Sequence, residues 1–357
     1  MAVTDAVLDA QGTTEPRVDA AALHTQRPKD LQRSFQLWLA VVWLLDAVLQ
    51  IQPFMFTPGK NGFSGMIGGT ASGNPGWIAD MITWNASIVN HHPVLTNTLF
   101  AGIQFVIGFG IIWRRTCKAA LGLSIAWAIA VWWFGEGLGG IFSGAATPFG
   151  GGPGGVLFYA VLAVVLWPRE GPDTPFVAAR ALGARAARVV WVVVWAVLAV
   201  LYLVGSGRSP QALQSVVTST EGGEPGWLVH LDRYSASLLG HDGTELAIVL
   251  AALCCVAAIS VYLPAAYTQV VIVLVVVAFS LIWVAVQNVG GILASGATDP
   301  NSAPLVVLLV LVYWPLSDRR RAALPRGRSG TFALSCAEAN STGGVDLGTR
   351  SIATREV

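Results

Sequence analysis

The sequence predicts an all-α integral membrane protein of eight transmembrane helices. They are arranged as two parallel four-helix repeats, with outer interfacial helices and Gly-rich, re-entrant-like segments. Three observations carry that prediction. The 357 residues are 54% hydrophobic and only 11% charged, against about 25% charged in a soluble domain, and mean hydropathy is +0.62. Eight apolar runs punctuate the chain, several of them near the roughly 20 residues a helix needs to cross a bilayer. Landmarks of the first half also recur, in order, in the second.

The runs are 35–53, 95–113, 119–135, 154–168, 188–205, 245–262, 266–287 and 303–316. Most are rich in Val, Leu, Ile and Ala without charge, as a lipid-embedded helix requires. The fourth and eighth hold only about 14 apolar residues each, short of the usual span. Gly-, Pro- and Ser-rich stretches precede both. Such stretches complete a crossing only when buried in protein, because unpaired backbone cannot face lipid. No secretory signal is read, since the first 34 residues are polar and mixed in charge.

Arg and Lys set the expected orientation. With the N-terminus inside, the segments 1–34, 114–118, 169–189, 263–265 and 317–357 carry 18 of the 21 basic residues. Only Lys60, Arg208 and Arg233 fall on the other side. This asymmetry predicts a plasma-membrane protein with both termini cytoplasmic and the loops 54–94 and 206–244 outside. The expected domains are a disordered segment 1–34, a first four-span repeat 35–168, a linker 169–187, a second repeat 188–316 and a basic disordered tail 317–357. The scarcity of Lys beside Arg, with abundant Ala, Gly and Val, points to a GC-rich bacterial genome.

The repeat is legible at three places. GNPGWIADMITWNASIVNHHP (73–93) aligns to GEPGWLVHLDRYSASLLGHDG (223–243). WFGEGLGGIFSGAAT (133–147) aligns to VAVQNVGGILASGAT (284–298), and LWP (166–168) to YWP (313–315). Each half has an even number of spans, so both insert the same way up. Within the outer segments, Trp77, Met81, Trp84 and Ile88 recur at helical spacing, as do Trp227, Leu231, Tyr234 and Leu238. Each set predicts an amphipathic helix at the outer interface or tucked into the bundle. The Pro before each Trp suits a first helical turn.

Few residues can carry chemistry. Asp46 sits in WLLDAVLQIQP, roughly 10 Å inside the first span at 1.5 Å per residue, with Gln50 one turn on. An ionisable residue in a span marks a functional site by default, although the corresponding stretch WAVLAVLYL has no acid. Gln104 lies at matching depth in the second span, and an Asp46–Gln104 hydrogen bond is expected. Glu136 ends the third span, and Gln287 is its repeat partner. The Glu is read either as a cap on backbone N–H groups of the Gly-rich turn or as one wall of a polar site. His91, His92 and His241 at the outer face are candidates for copper or zinc, weighed against ordinary interfacial histidines. The four cysteines form no CxxC, and Cys254 and Cys255 read as inert thiols in an apolar run. Net charge of +1 implies no nucleic-acid partner. GEGLGG does not follow a strand, so the dinucleotide reading fails, and no hydrolase elbow, P-loop or haem motif is present.

One resemblance adds to this reading. FAGIQFVIGFGIIWRRTCKAALGLSIAWAI (100–129) places a polar residue early in the span, small residues at Gly108 and Gly110, a basic inner turn and a Gly/Ala-rich helix. TELAIVLAALCCVAAISVYLPAAYTQVVIVLVVV (244–277) follows the same plan with an uncharged turn. Each half resembles the DoxX/DoxD-like family of four-span membrane proteins, here doubled in one chain. That resemblance implies an accessory part in a quinone-linked or redox-defence process, with membrane quinone as the implied cofactor and no intrinsic redox centre. Two alternatives stay open: a non-catalytic assembly or anchoring partner of another membrane protein or of a second copy, and a transporter of a small solute or metal ion.

Overall fold

The computed structural model describes residues 28–169, 174–218, 224–294 and 296–316. The disorder expected for most of 1–34 and for the tail 317–357 falls outside them. Among the described residues twelve α-helices form and no β-strand does. The first half holds α1 (Pro28–Leu49), α2 (Phe63–Gly69), α3 (Gly76–His91), α4 (Pro93–Ile112), α5 (Cys117–Phe134) and α6 (Gly155–Val165). A short α7 (Ala178–Leu182) leads into α8 (Ala184–Leu203), α9 (Pro210–Thr218), α10 (Gly226–Ser260), α11 (Ala265–Ala285) and α12 (Ser302–Val312).

Five helices, α4, α5, α8, α10 and α11, are long and apolar enough to cross a membrane. The chain is therefore a multi-pass membrane protein. Their outward faces agree: Val106 and Phe109 on α4, and Val270, Leu274 and Leu281 on α11, are all largely uncovered. In water that much contiguous apolar surface is a liability; against lipid tails it is the expected finish. The two short apolar helices, α6 and α12, have 11 residues each.

α1 starts at Pro28 rather than at Phe35, where the apolar run begins, and its polar first turns have a task. Gln32 Nε2 donates to the Trp167 carbonyl at 3.0 Å, and Gln36 Nε2 to the Leu166 carbonyl at 2.8 Å. Arg33 donates to the carbonyls of Ile111, at 2.8 Å, and Ile112. These are the carbonyls left without intrahelical partners at the ends of α6 and α4. Burying them costs free energy unless something donates to them. The basic, Gln-rich start of α1 thus closes two neighbouring helices.

Helix contacts run in the same order in each half. α1 packs on α4, α4 on α5 and α5 on α6; likewise α8 on α10, α10 on α11 and α11 on α12. The short helices α6 and α12 pack against each other, and α1 also touches α12. On α4, Gly108 lets α1 come close: a Cβ there would stand 2.7 Å from the Leu44 side chain. The turns at 113–116 and 261–264 close one end of the bundle, here the turn end. α2, α3, α9 and the start of α10 gather at the other, the cap end.

The amphipathic helices form as expected, with their faces now assigned. On α3, Trp77, Met81 and Trp84 point outward while Ile78, Ile82, Ala86 and Val89 are buried. On α10, Trp227, Tyr234 and Leu238 point outward and Leu228, Ala236 and Leu239 inward. The matching helices of the two halves differ in one respect. α3 and α4 are separate helices broken at His92 (φ −130°, ψ 52°) before Pro93. α10 runs through the corresponding point with only a kink at Asp242 (φ −117°, ψ 15°). Gly243 stands at the place of Pro93, where Pro would force a break by withholding an N–H.

Candidate functional site

The Gly-rich segments after α5 and α11 place the polar groups. In both, the helix ends with two N–H groups on one carbonyl: Gly135 and Glu136 on Val131, and Val286 and Gln287 on Ile282. Four consecutive left-handed residues follow, Gly137–Gly140 with φ between +55° and +72°, and Asn288–Gly291 with φ between +52° and +71°. The fourfold run reverses the chain sharply, and it includes Leu138 and Val289, residue types that rarely adopt it. Trp132 Nε1 then donates to the Pro153 carbonyl at 2.6 Å, and Trp283 Nε1 to the Pro300 carbonyl at 2.8 Å. Gly139 and Gly290 lie hard against the same prolines. A Cβ on Gly139 would overlap the Pro153 carbonyl oxygen, and one on Gly290 would come within 2.5 Å of the Pro300 carbonyl.

Glu136 and Gln287 occupy matching places. Gln287 Oε1 accepts from the Ala303 N–H at 3.2 Å, in the first turn of α12. The Val156 N–H, at the same position of α6, is directed at the Glu136 carboxyl. Both side chains therefore serve N–H groups that a helix N-terminus leaves over. The donor belongs to the following short helix rather than to the Gly-rich turn. Beyond that they diverge. Gln287 Nε2 donates to the Pro148 carbonyl at 3.2 Å and to Ser302 Oγ at 3.1 Å, so its amide is fully used. Glu136 Oε2 is buried without a hydrogen-bond partner. It lies against Gly154, whose φ of +116° and missing Cβ leave room for it beside Trp132.

Asp46 is 3% exposed, and its Oδ1 has no hydrogen-bond partner among the described residues. Its neighbour is Tyr159 of α6, whose hydroxyl faces the carboxyl and has no other protein partner. The Tyr159 ring packs on Trp43 with centroids 4.4 Å apart, and Trp43 Nε1 is fixed by Ser124 Oγ at 3.0 Å. Asp299, just before α12, brings a third carboxyl close enough for its charge to act on Asp46, Glu136 and Tyr159. Unlike the other two it is well bonded: Asn301 N–H donates to Oδ1 at 2.7 Å and Thr298 Oγ1 to Oδ2 at 2.8 Å. Asp46, Tyr159 and Glu136 from one half thus meet Asp299 from the other where α1, α6 and α12 converge.

Other expected partners sort differently. The Asp46–Gln104 hydrogen bond does not form; Gln104 Oε1 is buried and has no partner. Gln50 turns away from Asp46 to Asn97, donating to its Oδ1 while Asn97 Nδ2 donates back to the Gln50 carbonyl at 2.7 Å. The α1–α4 crossing is closed by that pair. His91 and His241 each hold Nδ1 2.7 Å from the carbonyl one turn earlier, of Ser87 and Ser237. They stand in different halves, and His92 is exposed between α3 and α4. Among the described residues no group of three or more His, Cys, Asp or Glu side chains is placed to hold a metal ion.

Apart from Asp299, the polar set belongs to the first half. Counting through the aligned helices, Asp46, Gln50, Asn97 and Gln104 correspond to Leu198, Tyr202, Ala247 and Cys254, and Tyr159 to Val306. Chemically, the first half presents a carboxyl and a phenol side by side with spare hydrogen-bonding capacity. Such a pair can pass a proton between themselves and to a third oxygen that reaches them. Compared with known protein families, curated proteins and solved structures, the chain has no significant match.

Proposed function

We propose that the chain is an eight-pass plasma-membrane protein. In this reading it consists of two four-pass repeats inserted the same way up, and the first repeat holds a proton-exchange site, Asp46 with Tyr159, serving a quinone-linked redox process. The passes are α1, the five long apolar helices, and α6 and α12, each completed by its buried left-handed segment. The matched left-handed runs, Trp–Pro hydrogen bonds and short-helix caps support the duplication. The distribution of Arg and Lys supports a cytoplasmic turn end and an outer cap end.

The observation that carries the functional reading is the buried pair of unspent oxygens, Asp46 Oδ1 and the Tyr159 hydroxyl. A buried polar group without a partner costs free energy and is retained where it has work to do. Reducing a quinone to a quinol consumes two electrons and two protons. This chain supplies hydroxyl-bearing groups for the protons, and a partner redox protein supplies the electrons. The DoxX-like pattern of the spans agrees with that division of labour, as an analogy of family rather than of site. The test compares membranes of a deletion strain carrying wild type, Asp46→Asn or Tyr159→Phe at equal protein levels. Quinone-reduction rates at least tenfold lower in both variants are expected. Full activity in both would sink the proton-exchange site.

A second reading has its own support. The second half keeps the scaffold but has Leu198, Val306 and Gln287 where the first has Asp46, Tyr159 and Glu136. That is what a non-catalytic anchoring partner needs. Co-purification of one redox enzyme, unaffected by Asp46→Asn, favours it.

A further inference from the structure

At the cap end of the second half, α9 and the start of α10 enclose an open groove of about 450 Å³. Gln214 and Thr218 of α9 and Arg233, Ser237, Gly240 and His241 of α10 line it. We propose that this groove binds a phosphate-bearing anion at the membrane interface, with Arg233 as its principal contact. Arg233, Ser237 and His241 follow at intervals of four and so share one helix face. The Arg233 side chain is exposed and makes no hydrogen bond or ion pair with another described residue. A guanidinium offers paired N–H donors whose spacing matches two oxygens of a phosphate, which an ammonium cannot do.

The remaining lining is shaped for a polar guest. The Gln214 amide lies over Gly240, where a Cβ would stand 3.6 Å from its carbon, nitrogen and oxygen, and it forms no hydrogen bond with a described residue. His241, in the groove lining, spends Nδ1 on the Ser237 carbonyl at 2.7 Å, so Nε2 is the ring nitrogen left for a guest. Of the acids on the same helix, Asp232 is fully buried, Asp242 lies at the kink beyond His241, and Glu245 is exposed one turn past His241. The groove's level is set by Trp227, Tyr234 and Leu238. They are 57%, 70% and 44% exposed on the adjoining face, the aromatic-and-Leu finish of a helix lying in the headgroup layer. The apolar run of α10 starts within a turn or so of His241.

The first half supplies an internal contrast. Residues 83, 87 and 91 of α3 are Thr, Ser and His, so the stripe recurs there without its cation. Thr83 Oγ1 is spent on the Asp80 carbonyl at 3.1 Å. The anion site is therefore an addition to the second half, just as the carboxyl site is particular to the first.

A phosphate of this kind has two sources, a lipid headgroup or a soluble phosphate ester. The full chain, purified and delipidated in uncharged detergent, is titrated separately with phosphatidylglycerol and with glycerol 1-phosphate, with bound species read by native mass spectrometry. Arg233→Gln should weaken binding about tenfold, the scale of a charge-assisted hydrogen bond lost, while Thr83→Val leaves it unchanged. Arg233-dependent binding of phosphatidylglycerol alone assigns a lipid headgroup. Arg233-dependent binding of glycerol 1-phosphate, with or without the lipid, assigns a soluble phosphate ester. Equal binding by wild type and Arg233→Gln, or binding of neither probe, overturns the site. Arg233 is exposed and outside the packed core, so the variant folds as the parent does.

Discussion

Exchanging the residues at 136 and 287 should be tolerated in one direction only. Glu136→Gln keeps an oxygen for the Val156 N–H and places an amide where Oε2 had no partner. Its cost in unfolding free energy should stay below about 1 kcal/mol, while Glu136→Ala should cost about 1–3 kcal/mol by leaving a buried N–H without an acceptor. The reverse exchange is different. Gln287→Glu keeps the 3.2 Å bond from Ala303 N–H but removes both donations from Nε2, to Pro148 and Ser302. It also sets a carboxylate against the Pro148 carbonyl oxygen. Two bonds at roughly 0.5–1.5 kcal/mol each, plus a carbonyl left without its donor, give a loss of about 2–4 kcal/mol. Equilibrium unfolding in mixed micelles, following helix content against denaturant, reads all three variants on one scale. If Glu136→Gln costs as much as Glu136→Ala, or if Gln287→Glu is neutral, the side chains do not cap the short helices in the way described.

Asp46→Leu should leave stability unchanged or raise it slightly, because Oδ1 has no bond to lose and Leu198 already stands at the corresponding place; the same variant should lose quinone-linked activity, and a destabilised but active protein would contradict both statements. Gly139→Ala and Gly290→Ala should each cost more than about 2 kcal/mol, from a Cβ driven into a proline carbonyl and a φ that L-residues avoid; unfolding curves matching the parent's would show the turn to be plastic. Trp132→Phe and Trp283→Phe should cost about 1–3 kcal/mol each, since each strips a buried carbonyl of its indole donor, and the two losses should agree within twofold. In a chain with its own cysteines removed, a thiol at Ser72 should react with an impermeant maleimide added to whole cells and one at Thr116 should not; the opposite pattern would invert the orientation.

The long apolar helices were legible because lipid imposes composition directly. Each apolar run ends within a few residues of a helix end, the exceptions being the two ends whose polar residues also join a helix. The start of α1 at Pro28 was hidden because Gln32 and Arg33 read as soluble sequence, whereas with Gln36 they close α4 and α6 from a distance. The fusion of the interfacial helix into α10 was hidden because only Pro93 in the first half spells out a break. Within the site, Asp46 and Glu136 stood out as charges in apolar surroundings. Tyr159 did not, since a tyrosine in an apolar run is ordinary, and its value lies in facing Asp46 from α6. Asp299 sits in DPNS, an unexceptional turn, and reaches Asp46 only because α1 meets α12 across most of the chain's length. Gln50 misled for a related reason: helical spacing put it on the face of Asp46, but Asn97 on the neighbouring helix claimed it.

The packing of α6 against α12 bears on how the chain can be divided. Each short helix is covered on one side by the long helix before it and on the other by its counterpart. A first half made alone leaves α6 bare, together with the surface of α1 that meets α12. Such a fragment has to recruit a second copy to shield that seam. Cut in the linker between Glu170 and Asp173 and produced as two polypeptides, the halves should reassemble in the membrane and co-purify. The covalent join then fixes stoichiometry: each assembly holds one half with the Asp46–Tyr159 pair and one half with the Arg233 groove.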